Sequence, residues 1–161
     1  MFPEMRRKNQ SLTEAAATAL LVAGSSGVLA VAGADGYPYA VPLSYAYQNG
    51  KLYFHCSPKG HKLEAIRREP KVSFCVIGQD AVVPEEYTTY FRSVICFGKA
   101  RLLEDASEKR QAIELLTGKY CPGVVRDCLT GSEKLENTCL IEVAVEHITG
   151  KEAIELACPK A

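Results

Sequence analysis

Two turn dipeptides, Asp35-Gly36 and Asn49-Gly50, punctuate three runs with the make-up of β-strands: Gly27–Gly33, Pro38–Tyr47 and Lys51–Cys56. An Asx residue followed by glycine supplies the positive-φ positions that a tight hairpin needs. Three strands joined by two such turns form an antiparallel meander. The middle run alternates in size. Tyr39, Val41, Leu43, Tyr45 and Tyr47 make a bulky face, and Ala40, Pro42, Ser44 and Ala46 make a small one. Pro42 lacks an N–H for the ladder, so it marks an edge or a bulge.

Around the meander, Ser11 and Glu14 form a capping-box pattern that opens a helix over residues 12–22, stopped by Gly24. A second helix is expected over His61–Glu69, with Leu63, Ala65 and Ile66 inward and Pro70 ending it. Lys71–Ile77 reads as a fourth strand, 78–88 as a loop, and Thr89–Leu103 as a fifth strand bent at Gly98. A third helix spans Ser107–Lys119, with Ala112, Ile113, Leu115 and Leu116 on its apolar side. Cys121-Pro-Gly123 breaks it, a loose helical stretch follows, and Thr138–Val145 is the last strand. Six strands with few helices predict a mainly β fold with peripheral helices: a small closed or partly closed antiparallel barrel. No repeat or linker divides the chain, so residues 1–161 are read as one domain.

Composition narrows the function classes. Of the 161 residues 47% are hydrophobic and 24% charged, which suits a globular core and excludes overall disorder. Nineteen Lys and Arg balance nineteen Asp and Glu, so the basic field of a general nucleic-acid binder or a membrane anchor is missing. The apolar stretch Ala15–Ala34 is interrupted at Gly24-Ser-Ser-Gly27 and is neither a membrane span nor a signal peptide. The seven cysteines, at 56, 75, 96, 121, 128, 139 and 158, include no CxxC pair. They are read as free thiols in a cytoplasmic protein, with no metal site.

Four places can carry chemistry. In Ser57-Pro-Lys-Gly-His-Lys62 a strand ends and a helix begins with basic residues at its positive pole, an arrangement that an anion would favour. A solvated basic turn is the plainer alternative. The small face of Pro38–Tyr47 admits either a flat ring or a tightly packed helix. His55 and Cys56 are adjacent on a strand and therefore point apart, so they are no nucleophile–base pair; His55 is a proton-transfer candidate or a structural histidine. Arg92 and Ser93 interrupt an aromatic strand, as a solvent-facing edge or as contacts in a cleft.

Gly27-Val-Leu-Ala30, Asp35–Ser44, Gly50–Cys56, Gly60-His-Lys-Leu63 and Pro70–Phe74 resemble, in order and spacing, the FMN-binding split-barrel superfamily related to pyridoxamine 5′-phosphate oxidase. Within it the chain resembles the nitroimidazole-resistance flavoproteins. Tyr90–Ala100 and Ile148–Lys151 look like the same group, so the likeness runs from about residue 5 to 155.

The resemblance implies a six-stranded split barrel of Greek-key type that forms a homodimer, with FMN in clefts at the interface. It implies that Val41, Pro42, Leu43 and Ser44 line the flavin ring, that His55, Cys56 and Ser57 pass near ring and ribityl chain, and that Gly60, His61 and Lys62 hold the phosphate. Tyr90, Ser93 and Val94 fall near the cofactor or across the interface. The implied activity is electron transfer from reduced FMN, itself reduced by NADH or NADPH, to a small aromatic or nitroaromatic acceptor, with His55 as proton donor. The alternative is a non-catalytic flavin, deazaflavin or haem protein of the same fold. The arginine-rich phosphate and C-terminal segments of the true oxidases are replaced here by Gly60-His-Lys62 and Ala157-Cys-Pro-Lys-Ala161, so pyridoxamine phosphate oxidation is not expected.

Overall fold

A computed structural model describes residues 2, 4–123 and 138–157. The loose helical stretch after Gly123 and the C-terminal residues from Cys158 lie outside the described residues. The strands are β1 (Ser26–Ala32), β2 (Pro38–Ser44), β3 (Ala46–Gln48), β4 (Lys51–Cys56), β5 (Lys71–Val83), β6 (Thr88–Leu102) and β7 (Cys139–Glu152). They form one antiparallel sheet in the order β2-β1-β5-β6-β7-β4-β3. The helices are α1 (Glu14–Ala23), α2 (His61–Arg68) and α3 (Ala106–Tyr120), with a last helical turn at Ile154–Ala157.

Seven strands replace the six expected because the run from Pro38 is cut at Tyr45. Its two pieces, β2 and β3, lie at opposite ends of the strand order yet are separated by that one residue. The sheet must therefore curl until its edges meet at Tyr45. The cut is held by a side chain in place of a ladder. Tyr45 donates its N–H to the Tyr120 hydroxyl at 2.8 Å, and that hydroxyl lies 2.7 Å from the Tyr45 carbonyl. The Tyr45 ring is fully buried and its hydroxyl donates to Leu21 O at 2.6 Å. The size alternation slips here as well. Ala40, Pro42 and Ser44 are exposed, whereas Tyr45 and Ala46 are both buried.

The Asn49-Gly50 turn has both residues at positive φ (49° and 77°), as its sequence requires. The first helix starts later than the capping box predicts. Ser11 bridges Lys151 and Leu12 donates its N–H to Gly150 O, so the chain stays extended through Leu12 and Thr13 becomes the cap, accepting from Ala16 N. The expected loop 78–88 is largely strand. β5 runs on past a register shift between Ile77 and Gln79, and Leu20 packs where a side chain on Gly78 would sit. These residues face water on both sides and leave no alternation to read. The last strand likewise continues to Glu152. The bend expected at Gly98 is present as a register shift at Phe97/Gly98, where a Cβ would strike Ala144 O.

Inside the barrel the row Val41–Leu29–Phe74–Cys96–Ile148 crosses five strands, joined by Tyr45, Phe54 and Val94. Burying such side chains is the main force for closure, at ~25 cal/mol per Å². A second cluster, Ala46, Leu103, Ala112, Ile113, Leu116 and Leu140, seats α3 on the outside of the barrel near β3 and β4.

Candidate functional site

The site begins where β4 ends. Gly60 has φ 140° and ψ 161°, a conformation open to glycine and strained for other residues, and α2 follows at once. No side chain caps the first turn of α2. Its positive end therefore carries donors that a bound anion can take. His61 is exposed and Lys62 half-buried. The His61 ring meets the edge of Tyr39 on β2, with centroids 6.3 Å apart, so the loop lies beside the start of that strand. At the other end of α2, Arg68 donates to the carbonyls of Ala32 and Gly33 at 2.6 and 2.7 Å, fixing the helix against the end of β1.

From Tyr39 the strand leads away from α2. Its outward residues Ala40, Pro42 and Ser44 are exposed, and Val41 and Leu43 turn inward. Pro42 stands on an edge segment of the strand order, where a missing N–H is tolerated. The outward residues belong to a wider face. Pro42, Val28, Cys75, Ile95 and Thr149 lie side by side across β2, β1, β5, β6 and β7, and Ala40, Ala30, Ser73, Phe97 and His147 form the next row. Val28 and Ile95 are 39% and 38% exposed, and Ile77 at the margin 66%. This outer face is mainly apolar, exposed at Val28 and Ile95, and the Phe2 ring packs on its Phe97 and His147 end.

The remaining expected residues divide between the two sides of the sheet. Cys56 shares the inner face with Phe54, while His55 is exposed on the other side, so the pair does point apart. Burial, then the neighbouring Cys139 thiol, push the Cys56 thiol up to about 12, with Lys62 pulling the other way; the Lys62 ammonium thus stands within electrostatic reach of Cys56. Ser57 is exposed in the loop. Ser93 is half-buried opposite Ile77 and Lys151. Tyr90 lies farther out on the β5–β6 hairpin, its hydroxyl donating to Glu86 at 2.8 Å. Val94 is fully buried in the core, so only its backbone is available to a ligand. Among the described residues no three His, Cys, Asp or Glu side chains gather as a metal site, and no helix is long and apolar enough to cross a membrane.

Three neighbours of the site escape sequence reasoning. Tyr39 counts as one of a bulky face until α2 folds beside it. Arg68 and Cys139 reach their places through contacts distant in sequence. Two hollows among the described residues, a cavity of about 790 Å³ between the N-terminal segment and β7 and a groove of about 420 Å³ over Ala30, Tyr37 and Phe97, are lined by none of the expected residues. The expected site is an open surface.

Residues 13–152 match the family model described as pyridoxamine 5′-phosphate oxidase. No curated protein matches. Similar solved structures include a candidate 5-nitroimidazole antibiotic resistance protein from Bacteroides thetaiotaomicron VPI-5482, with 24% identity over 88% of this chain and 86% of that one and a TM-score of 0.77. An FAD-binding protein from Mesorhizobium loti is 30% identical over 89% of this chain and 97% of its own, with a TM-score of 0.65. The flavocytochrome Anf3 from Azotobacter vinelandii is 18% identical over 98% and 79%, with a TM-score of 0.77, a likeness of fold.

Proposed function

Because the chain belongs to the pyridoxamine 5′-phosphate oxidase family, we propose that it is an FMN-binding, homodimeric cytoplasmic flavoprotein that passes electrons to a small aromatic or nitroaromatic acceptor. The observation that carries this reading is one juxtaposition: an uncapped helix terminus with Gly60 and Lys62 stands at the head of a strand whose outward residues are Ala40, Pro42 and Ser44. The first fits a phosphate, and the second lets a flat ring lie against the backbone. When bound, FMN supplies the redox chemistry, taking electrons from NADH or NADPH and releasing them to the acceptor.

The protein's own residues bind, orient and wall off. Lys62 and the first turn of α2 hold the phosphate. Val41, Pro42, Leu43 and Ser44 carry the ring along β2. His55, exposed on β4, is the proton donor to the acceptor. The openness of the site fits a second copy as its missing wall, seated on the face of Val28, Cys75 and Ile95, with Tyr90 and Ser93 toward that interface. The one Lys and one His of Gly60-His-Lys62 do not extend the reading to pyridoxamine phosphate oxidation. A second reading, flavin or haem binding without turnover, draws on the flavocytochrome likeness and on the FAD- and haem-binding protein from Mycobacterium smegmatis, similar with a TM-score of 0.75.

The test is the absorbance spectrum of the purified protein, before and after addition of FMN. Flavin bands that bleach with NADH or NADPH and return with a nitroimidazole are expected. Lys62→Ala should weaken FMN binding by ~30-fold, about 2 kcal/mol for a charge-assisted contact. A protein that takes up no FMN refutes the reading. Unchanged affinity in the variant refutes the phosphate assignment alone.

A further inference from the structure

Cys56 closes β4, Cys139 opens β7, and the ladder sets them directly opposite each other. Val145 donates its N–H to Gly50 O at 2.9 Å, which makes Gly50/Val145 a hydrogen-bonded pair. An even number of steps along both strands brings Cys56/Cys139 to the same kind of pair. Opposed residues in that register have Cα atoms about 5.5 Å apart, within the span of a disulfide. Both cysteines are free and half-buried, and the Cys139 thiol is one of the groups that raise the Cys56 thiol. Each stands at the end of its strand, where the backbone can adjust without disturbing a ladder on both sides.

We propose that Cys56 and Cys139 form a reversible dithiol–disulfide pair, oxidised by a hydroperoxide and reset by a thiol reductant, that clamps the ends of β4 and β7 at the root of the Ser57–Gly60 loop. In the first step the Cys139 sulfur, having released its proton, attacks the terminal oxygen of the hydroperoxide. The O–O bond breaks, Cys139 becomes a sulfenic acid, and the leaving oxygen takes up a proton. In the second step the Cys56 sulfur attacks that of Cys139. The S–S bond forms, the S–O bond breaks, and the hydroxyl leaves as water with the Cys56 proton. Two thiols lose two electrons and two protons, and the hydroperoxide is reduced to water and an alcohol, or to two waters when it is hydrogen peroxide. Burial and the neighbouring thiol keep the Cys56 proton in place, which suits the resolving thiol. The pair needs no flavin, so it stands or falls apart from the cofactor reading.

The test is a peptide map of the full-length protein after treatment with hydrogen peroxide, alkylation of remaining thiols and trypsin digestion without reductant. Cys56 and Cys139 fall in separate peptides, 52–59 and 135–151, each with one cysteine. The exposed Cys121 gauges the peroxide dose. The expected result is a linked 52–59/135–151 species that holds most of the Cys56 and disappears with dithiothreitol. In Cys56→Ser, Cys139 should be trapped by dimedone as its sulfenic acid. Recovery of Cys56 and Cys139 as alkylated thiols when Cys121 is already oxidised overturns the proposal, as does a Cys56 linkage to any other cysteine. The wild-type map decides even if a variant fails to fold.

Discussion

Replacing Tyr120 by phenylalanine removes one oxygen and should loosen the closure of the barrel. That oxygen accepts from Tyr45 N, and its one hydrogen lies within reach of the carbonyls of Tyr45 and Ser25, so two backbone groups depend on it at a time. The ring remains, and so does most of its packing. Each buried backbone group stripped of its partner costs about 1–3 kcal/mol. Tyr120 is 37% exposed, so water can reach part of the gap, and each of the two groups costs the low end of the range: about 2 kcal/mol in total. In a domain of this size that lowers Tm by ~4–8 °C. Urea unfolding followed by circular dichroism measures it. Tyr45→Phe is the comparison, since it deletes a different oxygen of the same joint, the donor to Leu21 O. If Tyr120→Phe unfolds within ~0.5 kcal/mol of the parent, the ordinary range for a surface change, the phenol does not hold the cut strand and the account of closure fails.

Two further outcomes follow from other parts of the molecule. Glu142 is nearly buried; burial opposes its ionisation, but hydrogen bonds from Arg101 at 2.9 Å and Lys51 at 3.0 Å outweigh that and hold its carboxyl below the usual range. A depressed carboxylate stabilises fully above the unfolded value and loses its contribution as pH falls through the folded one. Glu142→Gln should therefore cost ~1–2 kcal/mol at neutral pH, its partners being half-exposed, and the gap to the parent should close as pH falls below the usual carboxylate range; equal urea midpoints at neutral pH would contradict it. Ile95→Glu places a carboxylate at the centre of the outer face. Sedimentation should show the parent as a dimer and the variant as a monomer with an unchanged fold, whereas a variant that stays dimeric puts the interface elsewhere.

What could be read from the chain was local. Asn49-Gly50 demands a hairpin wherever it occurs, and Leu63, Ala65 and Ile66 mark the inward side of α2 by spacing alone. Gly98 announces a bend because a side chain there would strike the facing backbone. What escaped was set from a distance. The helix start moved from Ser11 to Thr13 because β7 captures residues 11 and 12. β5 passed its expected end because Gly78 yields its space to Leu20.

The candidate site divides in the same way. Gly60, His61 and Lys62 are contiguous, and their meaning as the positive pole of a helix is complete within one turn. The small face of β2 is also local, a matter of which residues alternate. Only register across β1, β5 and β6 turns that strip into part of a wide apolar surface, and only the fold of α2 brings Tyr39 to His61. An anion pole and a flat small-residue strip are each common in proteins. Their placement end to end, with Val28 and Ile95 beside them, is the ground of the proposal that a phosphorylated ring compound is shared between two copies. The barrel interior is filled by Phe54, Phe74 and Tyr45.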